Sequence, residues 1–174
     1  MTTKMMYSDI FRARILEIQK CIENECFLSA LSMALTLPDI CGKAAYPELG
    51  NTKRYIQWYN TTMSDMFAEG TDMPYLSGEL IYNLRNSILH SGNPNISVKD
   101  IKNDQCRVDK FILECKPNGA VWGGSMSRSS PTDTYWKQIG INIPPFCELL
   151  VEKALEYYVN NKDKFTFFDY TMIG

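Results

Sequence analysis

The strongest structural signal in the chain is the segment Glu79-Leu80-Ile81-Tyr82-Asn83-Leu84-Arg85-Asn86-Ser87-Ile88-Leu89-His90-Ser91-Gly92. At about 100° per residue, four aliphatic side chains form one stripe along a helix that we expect to face a core: Leu80, Ile81, Leu84 and Ile88. The other side carries Arg85 and His90 among polar groups. Gly92, followed by Asn93-Pro94, is typical of a helix end. The stretch predicts a helix over about Tyr75–Ser91 with one buried and one polar side.

Helical periodicity extends on both sides of this stretch. It predicts further helices over about Ser8–Asn24, Glu25–Leu37 and Thr52–Phe67, and a last helix from Pro144-Pro145 to about Asn160. Pro38 interrupts the pattern after the second helix, and Asp39 is positioned to cap a further turn. We expect the aromatic tail from Phe165 to Ile173 to dock on the body.

The region between the fourth and last helices has a different pattern. Phe111, Leu113 and Cys115 alternate with other residues, as do Ile139, Ile141 and Ile143, and Pro117-Asn118-Gly119 is a turn signal. The Gly- and Ser-rich segment Gly123–Thr134 is typical of a mobile loop. The sequence therefore predicts a β-hairpin inserted at about residues 105–143. The whole fold is predicted to be mainly α, an up-and-down bundle of about five helices in a single domain over residues 1–174.

Composition excludes several kinds of site. The 174 residues include one histidine, His90, so catalytic zinc sites with two or three histidines are excluded, and any His-based acid–base chemistry must use this residue. The net charge of −2 argues against bulk attraction to nucleic acid, so a polyanion site would have to be a local patch. The six cysteines form no C-x-x-C pair, and we interpret them as free, buried thiols. The sequence predicts neither a cofactor nor a metal.

The N-terminal residues and the hydropathy indicate the compartment. Met1 is followed by polar residues and not by a charged start with a long apolar run, so we expect no secretory signal. The longest apolar stretch, Phe27–Leu37, is too short to span a bilayer. We therefore expect a cytoplasmic protein with no membrane contact.

Arg85 and His90 each allow two interpretations. Arg85 is the only cation between Thr61 and Ser97, a stretch with four acidic residues. It either pairs with Glu79 or Asp65, or is held for an anion. His90 either caps the helix end or packs in a dimer interface, or else performs acid–base chemistry.

Helix geometry bears on how Arg85 and His90 could act together. Residues five apart lie about 140° apart around a helix, so these two are not neighbours on one face. A second copy of the chain supplying the complementary group would solve this problem. Asn86 lies four residues before His90 and can touch it directly. Tyr82 and Leu89, which also lie on this side, indicate a surface that a second copy covers.

Arg85-Asn86-Ser87-Ile88-Leu89-His90 resembles the Arg-polar-x-x-x-His motif of HEPN (higher eukaryotes and prokaryotes nucleotide-binding) domains. The segments Leu37–Gly42 and Arg54–Tyr59 also look similar to small bacterial HEPN-like proteins, most of them uncharacterised. The resemblance implies a core helical bundle over roughly Ser8–Gly92 plus the last helix, to which the hairpin is an addition.

The resemblance also implies an activity. Active HEPN domains are metal-independent endoribonucleases whose motifs meet across a homodimer. In that setting His90 would act as the base on the ribose 2′-hydroxyl or as the acid for the leaving group. Arg85 would hold the scissile phosphate, and Asn86 would orient the phosphate or the histidine. The implied partners are a second copy, RNA as the substrate and a cognate antitoxin, in a toxin–antitoxin, stress or phage-defence role.

Two other functions fit the same sequence. One is a non-catalytic HEPN-like module that binds a nucleotide, RNA or a protein in its polar cleft. The other is an interaction protein whose hairpin and Gly123–Thr134 loop carry recognition. Cleavage of RNA in EDTA, its loss on substitution of Arg85 or His90, and the effect of deleting the loop would separate the three.

Overall fold

The computed structural model describes residues 9–66, 75–94, 108–128, 130–131 and 136–168. Within these ranges it contains six α-helices, two 3₁₀ helices and one three-stranded sheet. The helices are α1 (Ile10–Glu23), α2 (Phe27–Ala34), α3 (Leu37–Ala45), α4 (Asn51–Thr62), α5 (Gly78–Ser91) and α6 (Ile143–Asn160). The strands are β1 (Lys110–Glu114), β2 (Trp122–Ser127) and β3 (Trp136–Asn142), and the 3₁₀ helices are Ser64–Met66 and Lys162–Phe168.

The mainly α class is confirmed, although the described residues form six helices where the sequence predicted about five. The difference lies at Pro38, which does not end the helical region after one turn. It occupies the first turn of α3, where a missing amide hydrogen costs nothing because that amide has no intrahelical acceptor. The segment predicted as a single turn is therefore a nine-residue helix.

A continuous apolar core joins the helices to the sheet. Helix α2 contacts α1, α5 and α6, while α3 packs on both α4 and α6. The predicted stripe of α5 faces this core, since Leu80, Ile81 and Leu84 are fully buried and Ile88 packs against them. The 3₁₀ helix after α6 docks as predicted through Phe165, which contacts the ring of Phe11. Residues 169–173 of the predicted tail lie outside the described residues.

The predicted β-hairpin is wrong in its pairing. Strand β1 pairs with β3 in parallel, and β2 pairs with the other side of β3 in antiparallel, so the order is β1-β3-β2. Part of the predicted mobile loop, Gly123–Ser127, belongs to β2. Glycine is rare in strands, which hid β2 from pattern reasoning. Phe111, Ile139 and Ile141 from the sheet join the core of the bundle.

Candidate functional site around Arg85

Helix α5 is held in place at both ends by local chemistry. The Ser77 hydroxyl caps its N-terminus by accepting a hydrogen bond from the amide of Leu80 at 3.2 Å. The amide of Gly78 donates to Oδ1 of Asn60 on α4 at 2.7 Å. A Cβ at position 78 would lie 2.8 Å from the carbonyl oxygen of Ile56, so only glycine allows this approach. The helix ends at Gly92 with φ of 65°, as the sequence predicted.

Arg85 lies at the junction of α5 and α3. Its Nη2 atom donates to Oδ2 of Asp39 at 2.7 Å, and Nη1 donates to Oδ1 of Asn86 at 2.8 Å. Nε is buried and has no hydrogen-bond partner within the described part of the chain. The side chains of Arg85 and Asp39 are 22% and 24% exposed, which makes this a half-buried, charge-assisted pair. Arg85 therefore pairs with a carboxylate of α3, whereas the sequence analysis named Glu79 and Asp65 as its candidate partners.

Two tyrosines lie near this pair, Tyr55 on α4 and Tyr82 on α5. The Tyr55 hydroxyl donates to the carbonyl oxygen of Leu35 at 2.9 Å, and burial raises the pKa of Tyr55 well above its usual range. The Tyr82 ring meets the Tyr55 ring edge-on, with 5.2 Å between the centroids. The hydroxyl of Thr52 donates to that of Tyr82 at 3.0 Å. Tyr82 is thus packed against α4 of its own chain, although the sequence analysis assigned it to a surface covered by a second copy.

His90 lies apart from this cluster. It is exposed in the last turn of α5, next to Leu89, whose surface is 42% exposed. Among the described residues, the contacts join Arg85 to Asn86 and Asp39, and none of them joins His90 to Arg85 or Asn86. The structure therefore brings two of the three predicted site residues together and leaves the third at the exposed end of the same helix.

Metal-binding clusters and reactive thiols are two further features that could carry chemistry. The described residues contain no cluster of three or more His, Cys, Asp or Glu side chains that could bind a metal ion. None of their helices is long and apolar enough to cross a bilayer. The thiols of Cys41 and Cys147 are buried, and this burial raises the pKa of Cys147 to about 12 and that of Cys41 further. Both thiols are therefore protonated near neutral pH and are not activated nucleophiles.

Sequence reasoning missed the role of Asp39. It interpreted this residue as a helix cap, and Asp39 does lie in the first turn of α3, but its carboxylate also binds Arg85. One available signal was its position in Leu37–Gly42, a segment already noted for its resemblance to HEPN-like proteins. Arg54, on the facing helix α4, begins the other such segment.

Comparisons of the chain with protein-family models, with curated proteins and with solved structures give no match.

Proposed function

We propose that the protein is a metal-independent endoribonuclease whose composite site forms when the α5 helices of two copies meet. The observation that carries the proposal is the distribution of groups on α5. Its apolar stripe faces the core, while Arg85 and Asn86 outside that stripe are partly buried and His90 near Gly92 is exposed. A guanidinium can stabilise the charge that develops on a phosphate and an exposed imidazole can transfer protons, so together they could cleave RNA without a metal.

The proposed reaction is transfer of the phosphoryl group to the neighbouring 2′-hydroxyl. The imidazole of His90 accepts the 2′-hydroxyl proton while the 2′-oxygen forms a bond to phosphorus. The bond from phosphorus to the 5′-oxygen breaks, and the histidine of the second copy donates a proton to that oxygen. The products are a 2′,3′-cyclic phosphate and a 5′-hydroxyl end. Arg85 would neutralise the charge that develops on the phosphate, with Asn86 orienting its guanidinium.

A second candidate function rests on the Arg85–Asp39 pair. At 2.7 Å the carboxylate already occupies one edge of the guanidinium, so an RNA phosphate must compete with it. If the guanidinium of Arg85 stays paired with Asp39 in the presence of RNA, Arg85 is a structural residue. The protein would then be a non-catalytic module of the same fold that binds a nucleotide, RNA or a protein.

Cleavage in EDTA separates the two candidates. We expect the wild-type protein to cleave single-stranded RNA in EDTA, and Arg85→Ala and His90→Ala to lose at least about a hundredfold in rate, the usual scale for removing a general base or a charge-stabilising donor. Arg12→Ala is the matched control, because Arg12 is an exposed arginine of α1 that pairs with Asp9. Circular dichroism checks that each variant is folded. Cleavage that survives either α5 substitution would refute the assigned roles, and RNA binding without turnover would favour the second candidate.

A charge at position 89 tests whether the α5 helices of two copies form a dimer interface. Leu89→Glu places a charge beside His90 on the proposed interface, whereas Leu16→Glu makes the same change at an exposed leucine of α1. We expect only Leu89→Glu to yield monomers in sedimentation equilibrium and to abolish cleavage. A monomeric wild-type protein that cleaves RNA would contradict the composite site. If the dimer cleaves RNA, a cognate antitoxin is expected to cover the same face.

A further inference from the structure

A cleft with a volume of about 450 Å³ lies beside Asp39, which is one of its lining residues. Helices α1, α3 and α4 and the C-terminal 3₁₀ helix each contribute to its wall. The residues that give the cleft its chemistry are Arg14, Lys43, Arg54, Asp39, Phe167 and Phe168. Its volume lies within the usual range for small-molecule sites.

Charge is concentrated in this cleft. Three cations face one carboxylate there, and that carboxylate is paired with Arg85 at 2.7 Å. The charges of Arg14, Lys43 and Arg54 are therefore not balanced by Asp39. Because the whole chain has a net charge of −2, the positive cleft is a local feature and not part of a generally basic surface.

Within the described residues, none of the three cations forms an ion pair. Nη1 of Arg14 donates to the hydroxyl of Thr36 at 3.0 Å, which orients the guanidinium without neutralising it. Nζ of Lys43 lies 4.5 Å from the centroid of the Phe167 ring. Nε of Arg54 is buried and has no hydrogen-bond partner in the described part of the chain. Fixed, unneutralised donors of this kind suit an anion.

The N-terminus of α4 adds positive charge to the same cleft. Thr36 precedes α3, Asn51 begins α4, and both line the cleft. No side chain caps α4 and no acidic residue lies in its first turn, so its first amides retain the partial positive charge of a helix N-terminus. In α3, by contrast, the amides of Asp39 and Ile40 are bonded to the carbonyl oxygen of Thr36, and the Asp39 carboxylate lies in the first turn. Gly42 allows this convergence, since a Cβ there would lie 2.7 Å from the carbonyl oxygen of Arg54.

We propose that this cleft binds a small organic phosphate. The phosphate would be held by Arg14 and Arg54, whose guanidinium groups match its oxygens, with Lys43 adding charge. The organic part would pack against the apolar wall formed by Phe167, Phe168 and Ile40. The cleft is larger than an inorganic phosphate needs, which favours a ligand up to about the size of a mononucleotide. This site is separate from the exposed His90 and does not depend on the proposed ribonuclease activity.

Isothermal titration with four probes tests the proposal: inorganic phosphate, naphthyl phosphate, AMP and adenosine. We expect naphthyl phosphate or AMP to bind more tightly than inorganic phosphate, and adenosine to bind at least about tenfold more weakly than AMP. Higher ionic strength should weaken the binding of every phosphate. No binding of any phosphate at millimolar concentration, or equal binding of AMP and adenosine, would overturn the proposal.

Substitutions of the cleft residues test whether the organic phosphate binds in this cleft. Arg54→Gln and Arg14→Gln should each weaken the binding of the organic phosphate by about tenfold or more, as expected for loss of a charged hydrogen bond. Lys53→Gln is the matched control, because Lys53 neighbours Arg54 on α4 but is exposed and outside the cleft. His90→Ala should bind like the wild type even if it abolishes cleavage. Arg54→Gln that folds and binds like the wild type would refute the site.

A comparison of AMP with a longer RNA tests whether the ligand is a small molecule. A 5′-phosphorylated RNA tetranucleotide presents the same chemistry as AMP with additional charge. Affinity for the tetranucleotide no greater than for AMP supports a small-molecule site. Affinity at least tenfold greater, lost in Arg54→Gln, would overturn the small ligand in favour of an RNA end.

Discussion

Arg85 and Asp39 illustrate how much a single contact depends on burial. Their side chains are 22% and 24% exposed, and the two charged atoms are 2.7 Å apart. We expect a double-mutant cycle with Arg85→Ala and Asp39→Ala to give a coupling of about 1 kcal/mol in urea unfolding, discounted for partial solvent screening. The Lys116–Glu114 pair is a matched control, with a similar distance of 2.9 Å but side chains 66% and 39% exposed. Its coupling should be near zero, and equal values for the two pairs would contradict the role of burial.

At this scale the sequence could identify the arginine but not its partner. Arg85 was singled out because no other cation lies near it in the chain. Asp39 lies 46 residues away, and only the packing of α3 against its neighbours brings the two together. The sequence does not predict the cationic cleft for the same reason. Arg14, Lys43 and Arg54 lie on three different helices, and only the fold brings them to one cleft.

The contact between α3 and α4 depends on Gly42. A Cβ at this position would lie 2.7 Å from a backbone oxygen of Arg54, so the two helices would have to separate. We expect Gly42→Ala to destabilise the protein by about 1–2 kcal/mol, because overpacking outweighs the gain of about 1 kcal/mol in helix propensity. Since the same contact positions Asp39 and Arg54, phosphate binding should weaken as well. Urea unfolding and titration with naphthyl phosphate measure the two effects.

Gly123 provides the control for Gly42→Ala. A Cβ on this residue of β2 would meet nothing within 4 Å, and its backbone is not in the left-handed region. Gly123→Ala should therefore leave the free energy of unfolding unchanged or raise it by up to about 1 kcal/mol, through the reduced entropy of the unfolded chain. A Gly42→Ala variant as stable as Gly123→Ala would show that α3 and α4 can separate at no cost.

Elements were predictable where their signals are local. The apolar stripe of α5 lies within the helix and Gly92 directly follows it, and the predicted end at Ser91 is confirmed. Strand pairing is not local. Strands β1 and β3 are both predicted by alternation. They can pair in parallel because the chain returns through β2, which follows β1 in sequence and lies on the far side of β3 in the sheet. A strand containing Gly123 and Gly124 gives no such alternation.

At the scale of the whole molecule, buried thiols and phenols in the described part of the core are held in neutral form. The thiols of Cys41 and Cys147 and the phenols of Tyr55 and Tyr59 are buried, and burial raises the pKa of each. In the unfolded chain these groups ionise near their ordinary values of 9.0 for a thiol and 10.0 for a phenol. Their stabilising contribution is therefore complete below about pH 9. It is lost as the pH rises, because only the unfolded state releases these protons.

We therefore expect the free energy of unfolding to fall between pH 9 and 12, the range between the ordinary pKa of a thiol and the value of about 12 for Cys147. Each group contributes a slope of up to about 1.4 kcal/mol per pH unit once the pH exceeds its unfolded pKa. Urea unfolding at pH 8, 9, 10 and 11 measures this slope. Cys147→Ala should reduce the slope between pH 9 and 11, whereas Cys26→Ala, at an exposed thiol, should not. Stability that stays constant to pH 11 would mean that these side chains ionise within the folded protein, and so that the core admits water around them.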